Sequence, residues 1–408
     1  MVQENVLILS SKKKIFVVQP VFDLNAPRCI RIRNIFKYLT AEFNVQILKF
    51  KHPNKTQELP DAIFHSLELS TFNSTFVNNN FSSEKYISSK SIISRLIRKI
   101  HQDYINFPDT WSSTHSQIIN YFSSNKISDV DYIYVSIFPF SNAQLAHSLR
   151  QIPGFREAKV ILDIGDPLTY NAARLEEVSN LKRNYESKYL SASDKIIVTN
   201  QLTKDHYLKD FNIDNNKISV IPQGVDTSLF VCDKLNFLVG DKIKLCYAGI
   251  FYEKLRSPNK FFAAVKKIEQ ELELEIALFG SNRKYQNRNV TVHEKISQKQ
   301  LVQVYNESHV LLFFDNAFGL QLSGKIFELI ATRKPILFIY SNPESEALKL
   351  VNKYPHIFKT RNTVEDITDA LKKLPDVLQS SEHLDYNVQD LSWENRALGF
   401  KNILHSLN

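Results

Sequence analysis

Strand-like apolar runs alternate with amphipathic helical segments along almost the whole chain, and that alternation restricts the fold more than any other feature. "KIFVVQP" (residues 14–20) leads into the helix-patterned "RIRNIFKYLTAEF" and then into "NVQILKF". The series continues with "DYIYVSI", "KVILDIGD", "KIIVTN" and "KISVIP". A strand, a helix and a further strand close as a right-handed crossover onto a parallel sheet. A second series opens at "IKLCYAGIF" and runs through "LEIALFG", "VTVHEK", "VLLFFD" and "PILFIY". Between the two lies "PQGVDTSLFVCDKLNFLVGD", which carries turn residues and little periodicity. A chain of 408 residues is too long for one ordinary domain. The expected architecture is therefore α/β: two doubly wound, Rossmann-like domains facing a central cleft, with their boundary near residue 228.

Composition narrows the class of function. The formal net charge of +8 favours anionic partners such as phosphorylated ligands. Lys and Arg are dispersed, without the basic-aromatic motifs that read DNA or RNA, so no nucleic acid is expected. No apolar run of about 18 residues suggests a membrane-spanning helix. The segment "MVQENVLILSSKKKIFVVQP" has too short an apolar patch for a secretion signal. Cys29, Cys232 and Cys246 are odd in number and lack Cys-x-x-Cys spacing. That argues against a disulfide framework and a structural zinc, and a reducing cytoplasm is the expected compartment.

Two segments of the second series carry the chemistry. In "DNAFGLQLSGKIFELIATR", Ser323 reads as an N-cap, with Gly324 and Lys325 in the first helical turn. Free amides and the positive end of a helix dipole suit phosphate, and Glu328, one turn in, suits a ribose diol. The same residues read equally well as a capped helix whose Glu faces solvent. In "YAGIFYEKLRSPNKFFAAV" a strand ends at Gly249 and a loop brings Lys254, Arg256 and Lys260. Planar guanidinium and point-charge ammonium donors both suit a diphosphate; a solvated basic loop is the alternative. Neither Gly-x-Gly-x-x-Gly nor Gly-x-x-x-x-Gly-Lys-Ser/Thr is present, so the simplest dinucleotide and P-loop readings lack their fingerprints.

Taken together, these pieces resemble a known group. "SDKIIVTNQLTKDHYLKDFNIDNNKISVIPQGVDTSLF" resembles the end of the N-terminal domain of GT-B glycosyltransferases, above all the retaining enzymes of family four. "YAGIFYEKLRSPNKFF" is similar to their phosphate-binding loop and "SGKIFELIATRKPIL" to their nucleotide-binding helix and strand, while "FPDTWS" and "ILDIGDP" match pieces of the N-terminal domain. The resemblance implies a GT-B fold with an acceptor-side domain over 1–227, a nucleotide-sugar domain over 228–384, and a helix in 385–408 returning to the first domain. It implies no metal or other cofactor. Glu328 matches the second of the family's two acids, the one that holds the ribose. The first falls at Leu320, which has no side-chain acceptor; Phe318, Gly319 and Leu320 then offer backbone amides to the donor sugar. The family's Arg after the loop glycine is Ile250 here, which leaves Arg256 and Lys260 to meet the diphosphate. "FDLNAPRCIRIRNIF" resembles the loop and helix facing the acceptor, so Arg28, and Asp163 and Asp166 from "ILDIGDP", are the acceptor-side candidates. A lone Asp after a strand is also a common turn former.

The implied activity is transfer of a sugar from a nucleotide diphosphate sugar to a hydroxyl of a growing surface glycan or lipid-linked saccharide, as in polysaccharide biosynthesis, with retention. A non-catalytic GT-B module that supports a partner enzyme is the alternative, favoured by Leu320; a sugar-nucleotide epimerase is a third reading. Asp129-Val130-Asp131 looks like the metal-binding Asp-x-Asp of another glycosyltransferase fold, but it precedes its strand instead of ending it. "IISRLIRKIHQDYI" sets Ile92, Leu96 and Ile100 on one face with Arg95, Arg98 and Lys99 elsewhere. A basic amphipathic helix of this kind either lies on the inner face of an anionic membrane or packs on its own domain.

Overall fold

The computed structural model describes residues 12–19, 26–50, 65–69, 107–125, 129–137, 139–169, 180–233, 237–238, 240–281, 288–380 and 387–407. Seven parallel strands form the first sheet: β1 (Lys14–Val18), β2 (Asn44–Phe50), β3 (His65–Leu69), β4 (Tyr132–Ile137), β5 (Lys159–Ile164), β6 (Lys195–Val198) and β7 (Ile218–Val220). Their order is β3-β2-β1-β4-β5-β6-β7. The second sheet holds β8 (Ile243–Ala248), β9 (Leu274–Phe279), β10 (Val290–His293), β11 (Val310–Phe314), β12 (Ile336–Tyr340) and β13 (Ile357–Arg361). It runs β10-β9-β8-β11-β12-β13 and is also parallel throughout. Each order reverses direction once, at β1/β4 and at β8/β11, as in a doubly wound sheet.

Packing explains the apolar runs. All residues of β4 and of β11 are buried, because helices cover both faces of a parallel sheet. Along β1, Ile15 and Val17 join one core cluster while Phe16 and Val18 join another, the period of two expected of a strand. β3 and β13 escape the apolar pattern. Both are edge strands, and β3 begins in what reads by composition as a polar stretch from Ser66. An edge strand is paired on one side only and needs no continuous apolar run.

Helix α1 (Pro27–Leu39) opens with Pro27, pre-set for a first helical position, and buries Arg31, Ile32, Ile35, Phe36 and Leu39. Among the described residues the chain passes between the sheets at two places. After β7 it runs through Ile221–Val225; after residue 388 it returns into the C-terminal helix α5 (Trp393–Ser406). These crossings are bonded together, Val225 N–H to Leu391 O at 2.9 Å and Trp393 N–H to Val225 O at 3.3 Å. α5 then packs on α1, its Trp393, Ala397, Phe400 and Leu404 sharing a core with Ile32 and Phe36. The Tyr132 hydroxyl donates to Leu404 O at 3.0 Å. Among the described residues no helix is long and apolar enough to cross a membrane. The basic amphipathic segment around Ile92–Ile100 lies outside the described residues.

Candidate functional site

The carboxyl edges of the two sheets meet. Helix α2 (Gln201–Phe211) follows β6, and its N-cap Asn200 donates through Nδ2 to Leu320 O, in the loop after β11, at 2.8 Å. The next residue of that loop, Gln321, donates to Asp166 Oδ1, in the loop after β5, at 2.7 Å. Loops at strand ends of both domains thus enclose one crevice, where ligands bind in open parallel sheets.

The first domain's wall is built around Asp163, at the end of β5. Its carboxylate is 1% exposed and accepts from Arg31 Nε at 2.8 Å, from Arg28 NH1 at 3.4 Å and from the Tyr134 hydroxyl. Burial acts to raise this carboxyl, but the Arg31 and Arg28 charges overcome it and hold it below its ordinary value. Asp163 was a candidate for facing the acceptor; it is instead buried, and it reaches the crevice only through Arg28. Asp166 is partly exposed and stands at the crevice, held there by its own loop. Leu168 and Thr169 N–H groups donate to the buried Glu186 carboxylate at 3.0 and 2.9 Å, and the Tyr207 hydroxyl joins them.

In the second domain two loops come together. The β8 loop leads into α3 (Asn259–Ile268), and the β11 loop leads into α4 (Lys325–Ala331). Ala317 N–H donates to Leu255 O at 2.9 Å, tying one loop to the other. Beneath them Tyr247 stacks on Phe251 at 4.2 Å, and Phe314 meets both edge-on at 5.3 Å. Such aromatic geometry fixes how the two strand exits sit against each other. Arg256 lies over the Tyr252 ring at 5.2 Å, and its Nε is buried without a hydrogen-bond partner. Burial raises the Asp315 carboxyl, opposed by Ser345, the Asn316 amide and the charge of Arg256. Lys260 is exposed, in the first turn of α3.

The entry to α4 departs from expectation. The cap is Gly324, already helical at φ −59°, and no side chain caps it; the Ser323 hydroxyl was expected in that role. The Ser323 carbonyl takes the Ile326 N–H at 3.2 Å, so the helix starts with a tight turn. A side chain at Gly324 would come within 3.2 Å of Gln223, from the interdomain crossing. Lys325 Nζ bonds Glu328 Oε2 at 2.6 Å, so the ribose-binding carboxylate expected from sequence is the partner of the Lys325 side chain, whose expected part was as a residue of the phosphate-binding turn. Phe318 is exposed, Gly319 takes a left-handed φ of +92° that a side chain would strain, and Leu320 turns its side chain inward at 8% exposure.

Sequence reasoning passed over Asn200, Gln321, Gln223, Arg31 and Asp315. Of these, only Asn200 stands in a recognisable local pattern, as a cap before a helix. Asp131 of the Asp-x-Asp look-alike accepts the Lys14 N–H at 2.8 Å. It lines a cavity of about 320 Å³ with Lys13, Asp129, Glu157 and Lys159, at the amino ends of β1, β4 and β5 and so away from the crevice. Among the described residues no cluster of three or more His, Cys, Asp or Glu side chains is placed to hold a metal ion.

Residues 144–229 match the model of Glycosyltransferase Family 4. No curated protein matches the chain in sequence. Among solved structures, the catalytic domain of starch synthase IV from Arabidopsis thaliana, bound to ADP and acarbose, is similar at 9% identity and a TM-score of 0.67, over 98% of this chain and 99% of that one. Sucrose-phosphate synthase from Thermosynechococcus elongatus is similar at 16% identity and a TM-score of 0.62, over 97% and 99%. A UDP-GlcNAc 2-epimerase from Methanocaldococcus jannaschii shares the fold at 12% identity and a TM-score of 0.52, over 97% and 99%. The chain has the GT-B fold and resembles the family-four glycosyltransferases, whose family model it matches across the end of its first domain.

Proposed function

We propose that the chain is a glycosyltransferase that moves a sugar from a nucleoside diphosphate sugar to a hydroxyl of a growing surface glycan or lipid-linked saccharide, with retention and without a metal, in the cytoplasm. One observation supports the reading: the β11 loop is hydrogen-bonded both to the basic β8 loop and to the first domain, the arrangement expected of a donor wall and an acceptor wall sharing one crevice. In this reading Arg256, Lys260 and Lys325 take the diphosphate, together with the amides of Ser323 and Gly324. Glu328 takes the ribose, and the backbone of Phe318, Gly319 and Leu320 lies along the sugar. Asp166 and Arg28 stand on the acceptor side.

The anomeric C–O bond to the diphosphate breaks as the acceptor oxygen bonds to the same face, and the hydroxyl proton passes to the leaving phosphate oxygen. Charge grows on that oxygen, and cations fixed beforehand lower the barrier without reorganising. Thermal-shift titration with uridine, guanosine and adenosine diphosphates, followed by transfer assays with the sugars of the base that binds, tests the reading. One base should stabilise the protein, and Glu328→Ala should raise the dissociation constant drawn from that titration about tenfold or more, as loss of a charge-assisted hydrogen bond does. No stabilisation by any nucleotide would end the proposal.

Leu320 favours a second reading, a non-catalytic module. Its side chain is buried and its carbonyl is occupied by Asn200, so this loop supplies no carboxylate at that point. Nucleotide binding with neither transfer nor slow donor hydrolysis would select it, whereas isomerised donor without acceptor would select an epimerase.

A further inference from the structure

Two guanidiniums share one carboxylate at the carboxyl end of the first sheet. Arg31, fully buried, is satisfied: Nε bonds Asp163 at 2.8 Å, and its two terminal nitrogens donate to Pro222 O at 2.7 Å and Ile221 O at 2.9 Å. Arg31 and the ionised Asp163 form a neutral pair. Arg28 adds a positive charge that pair leaves uncancelled. Its own bonds are long, 3.4 Å to Asp163 Oδ1 and 3.2 Å to the Asp163 carbonyl, and its Nε is buried with no hydrogen-bond partner.

The neighbouring backbone is shaped around this guanidinium. A methyl group at Gly165 would meet Arg28 Cζ at 2.4 Å, yet Gly165 does not occupy the left-handed region that would itself demand glycine. Its smallness makes room for Arg28. The next residue, Asp166, bonds Gln321 of the second domain, which puts the guanidinium beside the crevice with 13% of its side chain exposed. A half-buried excess charge is costly unless an anion meets it, and a planar guanidinium matches the paired oxygens of a phosphate.

We infer that Arg28 forms an oxyanion site of the first domain, separate from the diphosphate site of the second, which takes a phosphate-class group carried by the acceptor. Its assignment to the acceptor rests on the glycosyltransferase reading. Calorimetric titration of the full chain with inorganic pyrophosphate tests it, on wild type, Arg28→Gln, Gly165→Ala and Arg256→Gln. Wild type should take two equivalents. Arg28→Gln and Gly165→Ala should each weaken one site at least tenfold and spare the other; Gly165→Ala does so with every charge retained, so bulk electrostatics is not the cause. Arg256→Gln should weaken the other site alone. If Arg28→Gln and Gly165→Ala both titrate like wild type, the inference is overturned, whatever Arg256→Gln does. If only Arg256→Gln titrates like wild type, the donor-site reading fails and the Arg28 site stands.

Discussion

Asp163 shows how much a single residue's role depends on what surrounds it. In sequence it is an acid at a strand end, open to contact with a ligand. In the fold it is the counter-ion of a buried arginine whose other nitrogens hold Ile221 and Pro222 at the exit from the first domain. Replacing Arg31 by Met would leave two carbonyls without their donor and the buried carboxylate with only its bonds to Arg28 and Tyr134. Breaking one side of a buried pair costs about 3–5 kcal/mol, and urea denaturation of Arg31→Met should show a loss in that range. Gly224 carries a smaller, steric requirement: a methyl there would meet the Trp393 ring at 2.5 Å. An indole wedged between the crossings cannot swing aside as a chain end can. Gly224→Ala should therefore cost about 1–3 kcal/mol, read as a lower melting temperature.

At the scale of the element, the internal strands were legible because burial on both faces writes them as unbroken apolar runs. β3 and β13 were not, since an edge strand tolerates polar alternation. His356 immediately precedes β13, 4% exposed, and burial pushes its imidazole down to about 3. The unfolded chain, with an ordinary value near 6.5, binds the proton first as pH falls. Stability is therefore lost as pH drops from about 6.5 toward 3 and is fully present above that window. His115, pushed down to about 4 by burial, acts in the same direction. At pH 5 the His356 contribution is about 2 kcal/mol. His356→Phe should reduce the stability difference between pH 7 and pH 5 by about that much in urea melts.

At the scale of the whole molecule, direct side-chain bonds between the domains fall on one loop among the described residues. Asn200 and Gln321 each contribute a hydrogen bond across the crevice. A neutral bond of this kind nets about 1 kcal/mol, so losing both shifts an open–closed balance by about 2 kcal/mol, a factor of roughly thirty. The double variant Asn200→Asp/Gln321→Ala, in which the aspartate keeps the cap on α2 but has no amide to donate, should widen the protein's small-angle scattering profile while its melting temperature stays near wild type. An unchanged radius of gyration would show that the paired crossings at Val225 and Leu391 suffice to hold the domains together.

The order of the strands other than β3 and β13, the parallel sheets and the two basic or dipolar loops of the second domain were present in the sequence. They follow from periodicities that repeat within a few residues. What only the tertiary structure decided were contacts between positions far apart in the chain: Arg31 with Ile221, 190 residues away, and Asn200 with Leu320, 120 residues away. No local period encodes such pairs, because they exist only once two independently patterned sheets bring their carboxyl edges together. That is why Arg28 became an incompletely neutralised charge and Leu320 a buried strut, roles that neither residue type announces by itself.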